Sequence, residues 1–300
     1  MKALITGAAG FVGQHLTRHL ESLGDDVFGV DRKDGPDLLD AEGFTRLVAD
    51  IAPDAVYHLG GFSDVGGSWS TPNDTFRANA EGTLNVLQAC AQARTGRVLV
   101  ISSADVYGRV TLGELPLTED NTLRPVSPYA ASKIAADYLA LQAWLGYGVE
   151  AIRVRAFNHL GPGQTNRFLA PALAERIALN ELEGREVVPV GNMTPRRDFT
   201  DVRDVVRAYR LLVLEGEPGE AYNVCSGRDV AVSELADRLV DMALRPMRLE
   251  EDKALQREVD VPVLRGDFTK LHKATDWEPE IDLGQTLRDI LDEWRQRVGA

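Results

Sequence analysis

Apolar residues along this chain follow two rhythms. Runs of five or six residues rich in valine, leucine and isoleucine occur at KALIT (2–6), DVFGV (26–30), AVYHL (55–59), RVLVI (97–101) and VEAIRV (149–154). Between them lie longer stretches with helical periodicity near 11–23, 41–51, 73–93 and 128–145. Apolar strands alternating with helices predict a parallel sheet covered on both faces. The second half is less regular. It predicts helices near 168–182, 202–215, 233–243 and 283–297 and strands near 186–190 and 221–224, without repeats, low-complexity tracts or a linker. The expected fold is α/β, a doubly wound parallel sheet with a smaller C-terminal lobe. Residues 1–155 form the main domain and 198–225 return to it. Residues 156–197 and 226–300 form the lobe, which caps the C-terminal ends of the strands.

Composition narrows the picture. The 300 residues are 44% hydrophobic and 26% charged, an ordinary globular balance. A net charge of −13 argues against nucleic acid as a partner, because phosphate binding wants a basic footprint. The apolar run in MKALITGAAG is too short for a signal peptide, and no stretch approaches the ~20 residues of a membrane span. Two distant cysteines, Cys90 and Cys225, predict no disulfide framework and suit a reducing cytoplasm. The five histidines suggest no metal site. His15 and His19, one helical turn apart, read as a solvated helix face.

ITGAAGFVGQHL follows the first strand and opens the first helix. Its glycines, Gly7, Gly10 and Gly13, allow a tight turn and close backbone approach to a pyrophosphate, while the helix N-terminus offers partial positive charge. Phe11 and Val12 lie in the same loop. Eighteen positions after Gly13, the second strand ends at Asp31. A carboxylate there accepts hydrogen bonds from ribose hydroxyls and favours NAD(H). Arg32 beside it could hold a 2′-phosphate, so NADP(H) stays open. The short segment from Asp31 to Asp37 predicts an abbreviated or missing third strand.

SPYAASKIAADY (127–138) places Tyr129 and Lys133 four positions apart on one helix face. A phenol titrates near ~10, and bringing it to neutrality takes about 4 kcal/mol. A fixed ammonium can supply part of that. Ser103 follows RVLVI, where an open parallel sheet binds its ligands.

Ser103, Tyr129 and Lys133, with G-x-x-G-x-x-G at the start, resemble the short-chain dehydrogenase/reductase superfamily, specifically its extended branch, which acts largely on nucleotide sugars. The resemblance covers essentially the whole chain. DLLD (37–40) is similar to the stretch that contacts adenine, through Asp37 and Leu38. YHLGG (57–61) resembles H-L-A-A, placing Leu59 and Gly60 beside the cofactor with glycines for the alanines. NAEGTLNVL (79–87) resembles N-V-x-G-T-x-N-L-L, in which Asn79 helps hold the sheet and the site. The resemblance implies a Rossmann fold. Lys133 would bond the nicotinamide ribose and lower the Tyr129 pKa. Tyr129 would exchange the proton, and Ser103 would hold the reacting oxygen. It also implies a homodimer through a four-helix bundle built from the helices near 79–93 and 128–145.

RAFNHLGPGQ (155–164), VGNM (190–193), PRRDFTDVRDVVRAY (195–209), AYNVCSG (221–227) and REVDVPVLRGD (257–267) resemble GDP-4-keto-6-deoxy-D-mannose reductases, with some elements shared by GDP-mannose 4,6-dehydratases. By motif, Asn158, Arg197 and Arg257 grip the diphosphate or nearby sugar, and Asn192 lies near the base. Related dehydratases carry a C5 base, commonly glutamate, just after the serine. Here Ala104-Asp105 stand there, making Asp105 a candidate catalytic residue with shorter reach. The epimerase-reductases that make GDP-fucose carry a cysteine where this chain has Ala104. Both differences point to chemistry at C4 alone, by a 4-reductase or an NAD-retaining 4-epimerase. The lobe motifs favour the reductase, whereas Asp31 suits the epimerase. A non-catalytic dinucleotide sensor is the third reading; such proteins usually lose the tyrosine or the lysine, and both are present here.

Overall fold

The computed structural model describes residues 1–255 and 261–299. In chain order the first half reads β1 (Lys2–Thr6), α1 (Phe11–Ser22), β2 (Asp26–Val30), α2 (Ala41–Ile51), β3 (Ala55–His58), α3 (Pro72–Phe76), α4 (Gly82–Ala93), β4 (Arg97–Ile101), α5 (Pro128–Tyr147) and β5 (Glu150–Ala156). The second half adds β6 (Asn158–Leu160), α6 (Leu169–Glu183), β7 (Val187–Val190), β8 (Arg196–Asp201), α7 (Val202–Glu215), β9 (Ala221–Val224) and β10 (Asp229–Ala231). It ends with α8 (Val232–Asp241), β11 (Arg248–Glu251), β12 (Val263–Leu264), α9 (Thr269–Thr275) and α10 (Leu283–Gly299).

Six strands form one sheet in the order β2-β1-β3-β4-β5-β9, and every neighbouring pair is parallel. Such strands bury both faces, which explains the continuous apolar runs. Leu16, Leu20, Val205 and Tyr209 from α1 and α7 pack on one face. Phe44, Val86, Leu87 and Ala140 from α2, α4 and α5 pack on the other. The chain leaves β1 for β2 on one side and returns to β3 on the other. The switch opens a crevice at the strands' C-terminal ends, where ligands bind in such sheets. No strand forms between Asp31 and Asp40. That segment instead lays Leu38 beside α4, where Asn85 Nδ2 donates to its carbonyl at 2.8 Å.

The helix predicted over 73–93 forms with an interruption. Arg77–Glu81 make a π-helical turn between α3 and α4. Periodicity does not reveal such a turn, because it inserts one residue without changing the apolar character of the segment.

The second lobe is built on smaller sheets. β8 pairs with β6 and β12 in parallel and with β10 in antiparallel fashion, and β7 pairs with β11. Helices α6, α8 and α10 close over a separate core that includes Leu173, Leu235, Leu239 and Ile290. α7 and β9 then rejoin the main sheet. Among the described residues, no helix is long and apolar enough to cross a membrane.

Candidate active site

The glycine turn is built for close approach. Gly7 sits at φ +72°, and a Cβ there would come within 2.9 Å of the Gly60 nitrogen. A Cβ on Gly13 would stand 2.2 Å from the Gly7 carbonyl oxygen. Gly10 caps α1 from an extended conformation, without a side-chain hydrogen bond and without an acidic residue in the first turn. The helix therefore presents its N-terminal N–H groups and dipole to the crevice. This cradle fits the pyrophosphate of a dinucleotide. Asp31 ends β2 and accepts a hydrogen bond from the Arg32 backbone N–H at 2.8 Å. It borders a depression of about 400 Å³ that includes Ala8, Gln14, Thr17 and Arg18. Leu38 contacts the space above Gly60, and the Leu59 N–H donates to the Thr6 carbonyl at 3.2 Å. Asp37 is exposed and turns its carboxylate onto the Leu39 N–H. Phe11 stacks on His159 with centroids 6.3 Å apart, joining the glycine loop to the second lobe.

The catalytic candidates come together at the end of β4. Ser127 caps α5 by accepting from the Ala130 N–H at 3.1 Å, and Pro128 fits the first turn. This start places Tyr129 in the first turn and Lys133 one turn later. Both are buried. Lys133 Nζ lies 5.9 Å from the Tyr129 ring centroid and donates to the Ile101 carbonyl at 2.9 Å. Ser103 is hydrogen-bonded to the Tyr129 phenol and accepts from the Asp105 backbone N–H at 3.2 Å. The geometry thus joins the three residues that the sequence singled out, with Asp105 at their edge.

Burial sets the electrostatics of both groups. Burial, with a contribution from the Asp105 charge, raises the Tyr129 phenol above its ordinary value, against the Ser103 hydrogen bond. Burial also lowers the Lys133 ammonium to about 8. Desolvation dominates at both groups, and the ammonium is engaged by the Ile101 carbonyl. The site favours a protonated tyrosine, the form needed to donate.

Several residues beyond the trio shape the site. Asn79, in the π turn, accepts from the Phe62 N–H at 2.7 Å and donates to Ser132 Oγ at 2.9 Å. Ser132 donates to the Tyr129 carbonyl at 2.7 Å, and Ser68 Oγ accepts from the Tyr129 N–H at 3.3 Å. Asn79 was legible in the sequence. Ser68 and Ser132 carried no signal there, being ordinary serines in a loop and a helix.

In the second lobe, Asn158 is exposed and pairs with Phe199, two residues along β8 from Arg197. Arg197 Nη1 donates to the Arg196 carbonyl at 2.8 Å. Arg196 pairs with Asp229. Asn192 is exposed and accepts from the Thr194 N–H and hydroxyl. Arg257 lies outside the described residues. His15 is not a freely solvated residue: it is half-buried, and its Nε2 bonds the Pro162 carbonyl at 2.7 Å. Among the described residues, no cluster of histidine, cysteine and carboxylate side chains could hold a metal.

Comparison with known proteins agrees with this geometry. The NAD dependent epimerase/dehydratase family matches residues 3–225. The chain belongs to that family. A GDP-6-deoxy-D-mannose reductase from Pseudomonas aeruginosa is 39% identical over 99% of this chain and 98% of its own length. The structure of RMD from Pseudomonas aeruginosa complexed with NADPH superposes with a TM-score of 0.91, at 38% identity over 99% of both chains. The UDP-glucose 4-epimerase of Thermus thermophilus in complex with NAD gives a TM-score of 0.87 at 28% identity, over 98% of this chain and 99% of that one. The chain is therefore an extended short-chain dehydrogenase/reductase with a parallel central sheet, an enzyme of oxidoreductase type that depends on NAD(P).

Proposed function

We propose that this enzyme reduces the C4 ketone of a 4-keto-6-deoxyhexose carried on a nucleoside diphosphate, with GDP-4-keto-6-deoxy-D-mannose as substrate. The observation that carries this reading is the full-length similarity to a GDP-6-deoxy-D-mannose reductase, joined to a trio flanked by Ala104 and Asp105. Gly7, Gly10, Phe11, Val12 and Gly13 would cradle the pyrophosphate, Asp31 the adenosine ribose, and Leu38, Leu59 and Gly60 the ring systems. When bound, the nicotinamide supplies the hydride. Tyr129 donates its phenolic proton to the C4 oxygen, and the Ser103 hydroxyl donates a hydrogen bond to the same atom. Lys133 stands close enough to stabilise the phenolate left behind. Asn158, Arg197 and Arg257 hold the diphosphate and sugar, with arginine suited to phosphate by its two parallel donors, and Asn192 lies toward the base.

Asp31 supports NADH over NADPH, since a carboxylate repels a 2′-phosphate, and it also supports a second reading as an NAD-retaining 4-epimerase of UDP-sugars. One assay separates the two. The keto sugar is generated by a dehydratase, and NADH or NADPH is added with this protein. Oxidation tied to a new GDP-deoxyhexose is the expected result. No oxidation with either cofactor, together with epimerisation of a UDP-sugar without added cofactor, would establish the second reading. We further infer a homodimer through α4 and α5. Tyr138 and Leu145 support it, exposed along the outer side of α5. Light scattering should return about twice the 32.8 kDa of one chain.

A further inference from the structure

One fully buried imidazole has no role in the chemistry above. His58, at the C-terminal end of β3, is 3% exposed. An aliphatic residue would fill the same volume without the cost of burying two polar nitrogens. Both nitrogens are partnered. Nδ1 is 2.8 Å from Thr6 Oγ1, and Nε2 is 2.9 Å from Thr83 Oγ1. The proton positions follow from the neighbours. The Thr83 hydroxyl donates to the Asn79 carbonyl at 2.5 Å, so Thr83 Oγ1 accepts from His58 Nε2–H. Nδ1 is then the acceptor and takes the Thr6 hydroxyl proton. Thr6 Oγ1 in turn accepts from the Gly60 N–H at 2.9 Å. One tautomer of a neutral imidazole satisfies every member of the chain.

The two ends of this chain matter. Gly60 is the residue against which the Gly7 turn closes. Asn79 belongs to the π turn, and its side chain bonds Phe62 and the Ser132 hydroxyl, which bonds the Tyr129 carbonyl. A Cβ on Gly61 would fall 2.5 Å from Asn79 Oδ1 and 4.0 Å from Lys133 Nζ, so Asn79 and the catalytic lysine share one wall. We propose that His58 is a positioning residue, which through Thr83 fixes the π turn and Asn79 and thereby sets Tyr129 and Lys133 against the glycine turn. This deepens the reading of the trio as the catalytic group and rests on it.

Two substitutions separate positioning from packing. His58→Gln keeps an amide near the position of Nε2 and can still donate to Thr83. His58→Asn is one carbon shorter and can reach Thr6 alone. The expected result is that His58→Asn lowers kcat about 10- to 100-fold, as misplacement of catalytic groups does. Its cofactor Kd, read by fluorescence quenching, should stay within about threefold of wild type, and His58→Gln should recover most of the loss. Thr83→Val, which keeps the volume and removes the hydroxyl, should reproduce the loss and serves if His58→Asn does not fold. Crystal structures should show the Asn79–Ser132 bond kept in the glutamine variant and broken in the other two. Ring-nitrogen NMR of the wild type, with the His58 signal assigned by its loss in His58→Gln, should show His58 neutral and protonated at Nε2. Equal losses in the glutamine and asparagine variants, wild-type kcat in Thr83→Val, or a proton on His58 Nδ1 would overturn the proposal. If wild type does not reduce the keto sugar, the substrate assignment alone falls. The crystallographic and NMR readouts need no substrate and still decide the placement.

Discussion

The main sheet and the second lobe carry the same enzyme by different physics. The main sheet is held by largely apolar strands, with Leu4, Ile5, Val56, Leu99 and Ile152 all fully buried and one buried ion-pair cluster of Asp137 with Arg153 and Arg155. Its polar groups at the crevice are few and enclosed, as in the chain from Thr6 through His58 to Asn79. In the second lobe β8 reads RRDFTD, and its structure depends on charges. Asp198 accepts from the Ser226 N–H and hydroxyl and from the Gly227 and Gly266 N–H groups. Asp229 holds Arg196 and Arg265. Under the proposed function, the contrast separates two tasks. Hydride and proton chemistry needs a dry, fixed set of groups, whereas gripping a diphosphate needs arginines and amides near solvent.

The strongest way to break that division is at the tyrosine. Tyr129→Phe should reduce turnover by about 10² to 10⁴ while leaving cofactor affinity nearly intact, the range for loss of an acid–base group. Stopped-flow turnover with parallel cofactor titration checks it. Wild-type turnover would remove the tyrosine from the chemistry and leave the main sheet as a binding platform.

A smaller effect is expected at the far end of the crevice. Asp31→Asn should shift the ratio of kcat/KM for NADH over NADPH toward NADPH by about 10-fold or more, since a hydrogen bond to a charged group contributes about 1.5–3 kcal/mol. An unchanged ratio would mean that the carboxylate, which already accepts from the Arg32 N–H, does not read the ribose.

The second lobe should respond differently. Arg197→Ala is expected to raise KM for the sugar nucleotide about 10-fold with kcat within about threefold, the pattern of an interaction equal in ground and transition states. An equal fall in kcat would place Arg197 with the chemistry and blur the contrast.

These regions were unequally legible in the sequence. Strands β1, β3 and β4 were readable because each is buried on both faces and largely apolar, whereas β2 at the sheet edge and β5 with its two arginines were readable from the apolar residues they keep. The glycine turn was readable because only glycine fits there. Tyr129 and Lys133 were readable because helical spacing fixes their common face. The short strands β6, β8, β10, β11 and β12 and the helix α9 were not predicted. A two- to six-residue strand whose partners are distant in sequence leaves no periodic signal, and β8 is mostly polar. The π turn was equally hidden. What stabilises it, the Thr83 hydroxyl on the Asn79 carbonyl, is a contact of an ordinary helical threonine. The burial of the Tyr129 phenol was not legible, because spacing reports which charges are near and not how deeply they are buried.

The smallest predicted effect compares the two regions through acid. Burial, helped by the Lys133 charge, lowers His58 to about 3. Burial raises Asp198 to about 6 despite its hydrogen bonds. The signs oppose. A histidine depressed in the fold contributes stability that is present above its unfolded value near ~6.5 and lost as pH falls toward its folded value. A carboxyl raised in the fold does the reverse, stabilising as pH falls from about 6 toward its ordinary value. Acidification therefore loosens the main sheet at His58 while relieving the second lobe at Asp198. His58→Gln removes one side of the balance. Between about pH 6.5 and about pH 5.5, the stability advantage of wild type over this variant should shrink by about 1 kcal/mol in urea unfolding. A constant gap would mean that His58 is not held neutral by the fold, and the division between a dry main sheet and a charged lobe would lose its clearest electrostatic mark.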